Sequence, residues 1–109
     1  MKVLLDENLP QDLRHFIPQH QVSTMGSLHW HVANDERLLE RAATFGFDVF
    51  VTHEQALRLT NGNGHVPPTI SVISLRSASN TLEDVRTLVV PLLEALNAFR
   101  PNTVTAIPE

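Results

Sequence analysis

The chain has no cysteine among its 109 residues. That excludes a disulfide framework, a cysteine-ligated zinc site and a thiol nucleophile together. Long apolar runs are missing too. None approaches the ~20 residues that a membrane-spanning helix needs, and no basic-then-apolar leader opens the sequence. A cytoplasmic protein without membrane contact is the expectation. Cations are scarce: Lys2 is the single lysine, and eight Lys and Arg face twelve Asp and Glu for a formal charge of −4. Such a balance argues against a protein that coats nucleic acid by neutralising phosphates. It leaves room for an enzyme that meets phosphates through metal ions. Internal repeats and low-complexity segments are lacking as well.

What is present is the composition of a folded globular chain, 42% hydrophobic and 18% charged, with enough length for one domain, residues 1–109. Lys2-Val3-Leu4-Leu5 is an apolar run ended by Asp6-Glu7, the pattern of a strand buried on both faces. Pro10 suits the first turn of a helix through Phe16. Residues 21–25 form a second, weaker strand. Asn34 can cap a helix whose buried face is Leu38, Leu39, Ala42, Ala43 and Phe45, with Gly46 as its stop. Residues 48–52 and 70–75 are further strands, with a short turn expected over 54–59 and a loop over 61–68. Asn80-Thr81 opens the longest helix, with Glu83 or Asp84 completing a capping box, Pro91 kinking it and Pro101 stopping it. Residues 102–107 supply an edge strand. Alternation of this kind predicts an α/β domain, three layers with a mainly parallel five-stranded sheet, in the order 2-1-3-4-5.

In such sheets, ligands bind beyond the carboxyl ends of the strands, near the switch in strand order. Asp6 and Glu7 follow the first strand, Glu54 follows the third, and Asp35 and Glu36 open the intervening helix. Five of the twelve acids therefore fall on one rim. Two carboxylates ~4 Å apart repel by about 4 kcal/mol at an effective dielectric of ~20. They spread into water, take up a proton, or hold a hard cation such as Mg²⁺ or Mn²⁺ between them. Asp35 and Glu36 also make sense as plain first-turn helix stabilisers. Asn8 and Thr52 lie at the same rim, where each can orient a carboxylate or serve as a turn residue. His29-Trp30-His31 offers a His-x-His pair that Glu54 or His53 would have to complete as a metal site. Nucleic-acid contact or loop packing is the simpler reading of that segment.

Val3-Leu-Leu-Asp-Glu-Asn-Leu-Pro10, the Asn34-Asp-Glu-x-Leu-Leu helix and Val49-Phe-Val-Thr-His-Glu54 together resemble a PIN-like domain. More narrowly they are similar to the small bacterial DUF5615 (Mut7-C-related) family, from Met1 to about Leu75. The resemblance implies an Mg²⁺- or Mn²⁺-dependent ribonuclease, with RNA as substrate. It also implies the toxin of a type II toxin–antitoxin pair, a cognate antitoxin and a homodimer. Asp6 matches the family's first-strand metal ligand, Asp35 the acid of the middle helix with Glu36 as register alternative, and Thr52 the threonine of the third strand. Glu54 stands where the family usually has Asp, and Ala56 where it has a polar residue.

The catalytic and metal set implied is thus Asp6, Asp35 and Glu54, assisted by Glu7 or Glu36. The alternative is a catalytically weakened PIN-like module that binds a protein partner or RNA without cleavage. Phosphoacceptor receiver domains share the fold class, but they need a lysine after the last sheet strands and an Asp ending the third strand, and this chain has neither.

Overall fold

A computed structural model describes residues 1–30, 35–53 and 66–108, with residues 35–37 described by their backbone alone. Five strands form one sheet: β1 (Lys2–Leu5), β2 (Gln21–Thr24), β3 (Val49–His53), β4 (Ser71–Leu75) and β5 (Val104–Ile107). A 3-10 helix (Gln11–Phe16) and three α-helices accompany them: α1 (Asp35–Thr44), α2 (Leu82–Arg86) and α3 (Val89–Asn97). The sheet order is β2-β1-β3-β4-β5, and each neighbouring pair is parallel. The α/β class, the strand order and the edge position of β5 are those expected from the sequence. No described helix is long and apolar enough to cross a membrane.

Strand side chains alternate between faces, and the core divides accordingly. Val3, Leu5, Val49, Val51, Ile73 and Leu75 pack with Leu13 and Ile17 near the 3-10 helix and with Val85, Leu92 and Leu96 of α2 and α3. Leu4, Phe50 and Val72 turn the other way, against Leu38, Leu39 and Ala42 of α1. Because the central strands β1 and β3 are buried from both sides, they read in sequence as continuous apolar runs rather than as alternating ones.

Three local expectations are corrected. Phe45 was assigned to the buried face of α1, but it lies one residue beyond the helix and is 58% exposed. Gly46, at φ +86°, turns the chain there, in a region that a residue with a Cβ avoids. The long C-terminal helix is broken rather than kinked: α2 ends at Arg86 and α3 begins at Val89. Proline has no N–H for the carbonyl four residues back and its ring clashes with it. Pro91 therefore disrupts the helix at Thr87, and the break falls there. Thr81 caps α2 by accepting from the Asp84 amide. The reciprocal half of the capping box is absent, since the Asp84 carboxylate accepts from Ser79 instead. His20 is half-buried, and its Nδ1 has no partner among the described residues.

Candidate functional site

All five strands are parallel, so their carboxyl ends share one rim. The chain leaves β1 toward β2 on one side and returns to β3 on the other. The topological switch therefore lies between β1 and β3, where open α/β sheets bind ligands. Register places Leu5 beside Val51, and the Asp6 amide continues the ladder to the Val51 carbonyl at 2.9 Å. The Leu9 amide then donates to the Asp6 carbonyl at 3.0 Å, turning the chain off the sheet. Asp6 is thus the last residue held by the sheet and the first at the switch.

Alternation decides what Asp6 meets. It has the parity of Leu4, and Thr52 has the parity of Phe50, so both side chains lie on the α1 side. The Thr52 hydroxyl donates to Asp6 Oδ2 at 2.6 Å, and the Glu7 amide donates to Oδ1 at 2.7 Å. Asp6 is 4% exposed and Thr52 is fully buried. Burial pushes the Asp6 carboxyl above its ordinary value of 3.8, with the neighbouring Glu7 charge adding to the rise. The Thr52 hydroxyl and the backbone amides of Glu7 and Asn8 pull it down by stabilising the anion, and desolvation outweighs them. Among the described residues no Lys, Arg or His pairs with this carboxylate; the ion pair found there, His15 with Asp12, lies on the 3-10 helix.

His53 has the opposite parity and points to the α2 side. Its Nε2 lies 3.1 Å from Ser77 Oγ and 3.3 Å from the Ser77 carbonyl. The Ser77 hydroxyl already donates to the Ser79 carbonyl at 2.6 Å, so Nε2 carries the proton and donates to Ser77. From there the chain of bonds continues through Ser79 to Asp84 at 2.7 Å, while the Asn80 side chain donates to the Asn8 carbonyl at 2.9 Å. The segment between β4 and α2 is thereby strapped across the rim.

Asn8 links this strap to the strand ends. Its Nδ2 donates to the His53 carbonyl at 3.1 Å, and its Oδ1 accepts the His53 amide at 3.4 Å. The side-chain amide stands in for a neighbouring peptide group after β1 has ended. Asn8→Ala is expected to cost about 1–3 kcal/mol, because both His53 groups lose their partner in a partly buried place. Asn8→Asp should cost more, since a carboxylate oxygen then faces the His53 carbonyl. Urea denaturation of the three proteins measures the order, and an Asp variant as stable as wild type would contradict the role given to Asn8.

Of the residues expected at the site, Asp6, Thr52 and Asn8 are brought to the rim. Glu7 is exposed beside them and contributes its amide. Asp35 is the first residue of α1. The far end of that helix is tied to the amino end of β1, where Lys2 Nζ donates to the Phe45 carbonyl and the Asp48 amide donates to the Lys2 carbonyl. A ten-residue helix is about 15 Å long, so residue 35 falls toward the carboxyl-end rim. The side chains of Asp35 and Glu36, and Glu54, Ala56, His31 and the turn expected over 54–59, lie outside the described residues. Among those described, no three His, Asp or Glu side chains gather into a metal-binding group.

A divalent cation is compatible with what is described. Asp6 is a hard oxygen donor, its Oδ2 oriented by the Thr52 hydroxyl and its Oδ1 by the Glu7 amide. Such a ligand, ionised only at a desolvation cost, gains from a hard cation beside it. The sequence marks Asn80 and Asp84 as helix-capping residues only and does not single out Ser77 and Ser79. Their signal was available in the run Ser77-Ala-Ser-Asn80, which follows β4 at the same rim. Comparison of the chain with family models, with curated proteins and with solved structures gave no match.

Proposed function

We propose that the protein is an Mg²⁺- or Mn²⁺-dependent ribonuclease of PIN-like type, with Asp6 as its central metal ligand and Asp35 and Glu54 completing the set. The observation that supports this most is the Asp6 carboxylate itself. It is buried at the switch point, desolvated and oriented by Thr52, and has no cationic partner among the described residues. A salt bridge or open water would be the ordinary home for such a group, and the described residues provide neither. A divalent cation bound there would activate a water and neutralise charge developing on a phosphodiester.

The chain's own residues fix the geometry. Thr52 and the Glu7 amide hold the two Asp6 oxygens in place. Asn8 and the strap from Ser77 to Asp84 clamp the carboxyl ends of β1 and β3 to each other. An RNA substrate, a homodimer and the toxin role beside a cognate antitoxin complete this reading; they rest on the resemblance of the Val3–Pro10 and Val49–Glu54 segments.

Calorimetric titration of metal-free protein with Mn²⁺, beside a cleavage assay on single-stranded RNA, tests the proposal. The expected result is micromolar Mn²⁺ binding and Mn²⁺-dependent cleavage. Absence of binding at millimolar Mn²⁺ would contradict it, and would favour the PIN-like module that binds a protein partner or RNA without cleaving.

A further inference from the structure

We propose that Trp30, Phe45, Arg41 and Lys2 form a stacking site for an unpaired nucleotide of a single-stranded nucleic acid. The chain has six aromatic residues, five Phe and one Trp, and half of them gather beside the end of α1. Trp30 packs edge-on to Phe45 at 5.1 Å between ring centroids and to Phe47 at 6.1 Å. Phe47 is buried and anchors the group, Trp30 is half-buried, and Phe45 stands open to solvent. Arg41 lies over the Trp30 ring at 5.4 Å and Lys2 over the Phe47 ring at 4.5 Å. The chain's only lysine and one of its few arginines thus meet at one aromatic surface of a protein whose net charge is negative.

The chemistry of that surface selects its ligand. Phe45, 58% exposed, forgoes much of the stabilisation that burial would give its ring, so an exposed Phe held against Trp is a ready surface for a flat partner. A nucleobase offers a π-face to Phe45 and Trp30, while its phosphate meets Arg41 and Lys2. An apolar protein face would match the rings but would desolvate the two cations with no anion beside them, which is costly. Asp48, beside Lys2, is already engaged, its Oδ2 accepting the Lys2 amide at 2.9 Å. Residues 2 and 6 are four apart along a strand direction, about 13 Å. The patch and the Asp6 rim thus lie at opposite ends of β1, a separation that a few nucleotides span. As a route for RNA substrate the inference rests on the ribonuclease reading, but binding can be measured without cleavage.

Trp30 is the only tryptophan, so its fluorescence reports on the patch alone. A short oligouridylate titrated in EDTA is expected to quench it saturably. Phe45→Ala should weaken binding about 5- to 100-fold, the range that stacking on one aromatic ring supplies. Arg41→Gln should lower the slope of log affinity against log salt by about 0.7. Circular dichroism confirms that the variants fold.

No quenching at millimolar oligonucleotide, or equal affinity in the Phe45 and Arg41 variants, would overturn the site. A dimer in sedimentation that Phe45→Ala disperses, without quenching, would overturn it in favour of self-association. Quenching without Mn²⁺-dependent cleavage would sink the ribonuclease reading alone, and cleavage without quenching the stacking site alone.

Discussion

Asp6→Asn is expected to abolish Mn²⁺-dependent RNA cleavage and, in EDTA at neutral pH, to melt at a higher temperature than the wild-type chain. The two effects have one cause. Asparagine keeps the shape of the side chain and both of its hydrogen bonds. Its Oδ1 accepts the Glu7 amide, and its Nδ2 donates to Thr52, whose hydroxyl turns to accept. What disappears is a buried negative charge, and with it the metal ligand. A gain on the order of 1 kcal/mol is the scale on which relaxing a functional site stabilises a domain. At this size it raises the melting temperature by about 4–8 °C.

The sign of the pH dependence follows from burial. The folded Asp6 carboxyl titrates above 3.8 and the unfolded one near it, so between these values the folded state holds a proton that the unfolded state has lost. Wild-type stability from this group is therefore present at and below the unfolded value. It is lost as pH rises through the folded one. Asparagine lacks that slope, so its advantage grows with pH across this window and then levels off. Saturating Mn²⁺ should raise the wild-type melting temperature and leave the variant unmoved. A variant less stable than wild type at neutral pH without metal would contradict the account. Undiminished cleavage by the variant would trace the activity to a contaminating nuclease.

Thr52→Val is expected to destabilise the fold by about 1.5–3 kcal/mol, the range for a hydrogen bond to a charged group. Valine is close in shape, so packing changes little. Asp6 Oδ2, however, is left in a buried place without its 2.6 Å donor, and the carboxyl rises further from its ordinary range. Thr52→Ser should recover most of the loss by restoring the hydroxyl. A double-mutant cycle separates this from general repacking. In the Asp6→Asn background the penalty of Thr52→Val should shrink, since no charge then depends on the donor. An unchanged penalty would mean that Thr52 acts through packing alone.

Much of this arrangement is legible in the residues themselves. The runs at Val3–Leu5 and Val49–Val51 are apolar at every position because both sheet faces are covered, and that alone marks a parallel α/β sheet. The meeting of Asp6 with Thr52 also follows from elementary rules, namely that each ends a central strand and that the sheet alternation gives them the same side. Other features depend on competition that a periodic pattern does not carry. Leu82, Val85, Leu88, Val89 and Leu92 read as one helical stripe, yet Pro91 breaks the helix at the carbonyl four residues earlier. Phe45 fits the α1 stripe by spacing but falls beyond the helix, at the turn made by Gly46. The strap from Ser77 to Asp84 was missed because the strand-end rule was applied to acids, whereas hydroxyls and amides hold that side of the rim.

The reading of Asp6 as a metal ligand is tested most directly by a crystal soaked in Mn²⁺ and measured for anomalous scattering. The account predicts a peak in contact with Asp6, shared with Asp35 and Glu54, and its loss in crystals of Asp6→Asn. An ordered rim with Asp6 still bonded to Thr52 and no manganese at saturating concentration would contradict it.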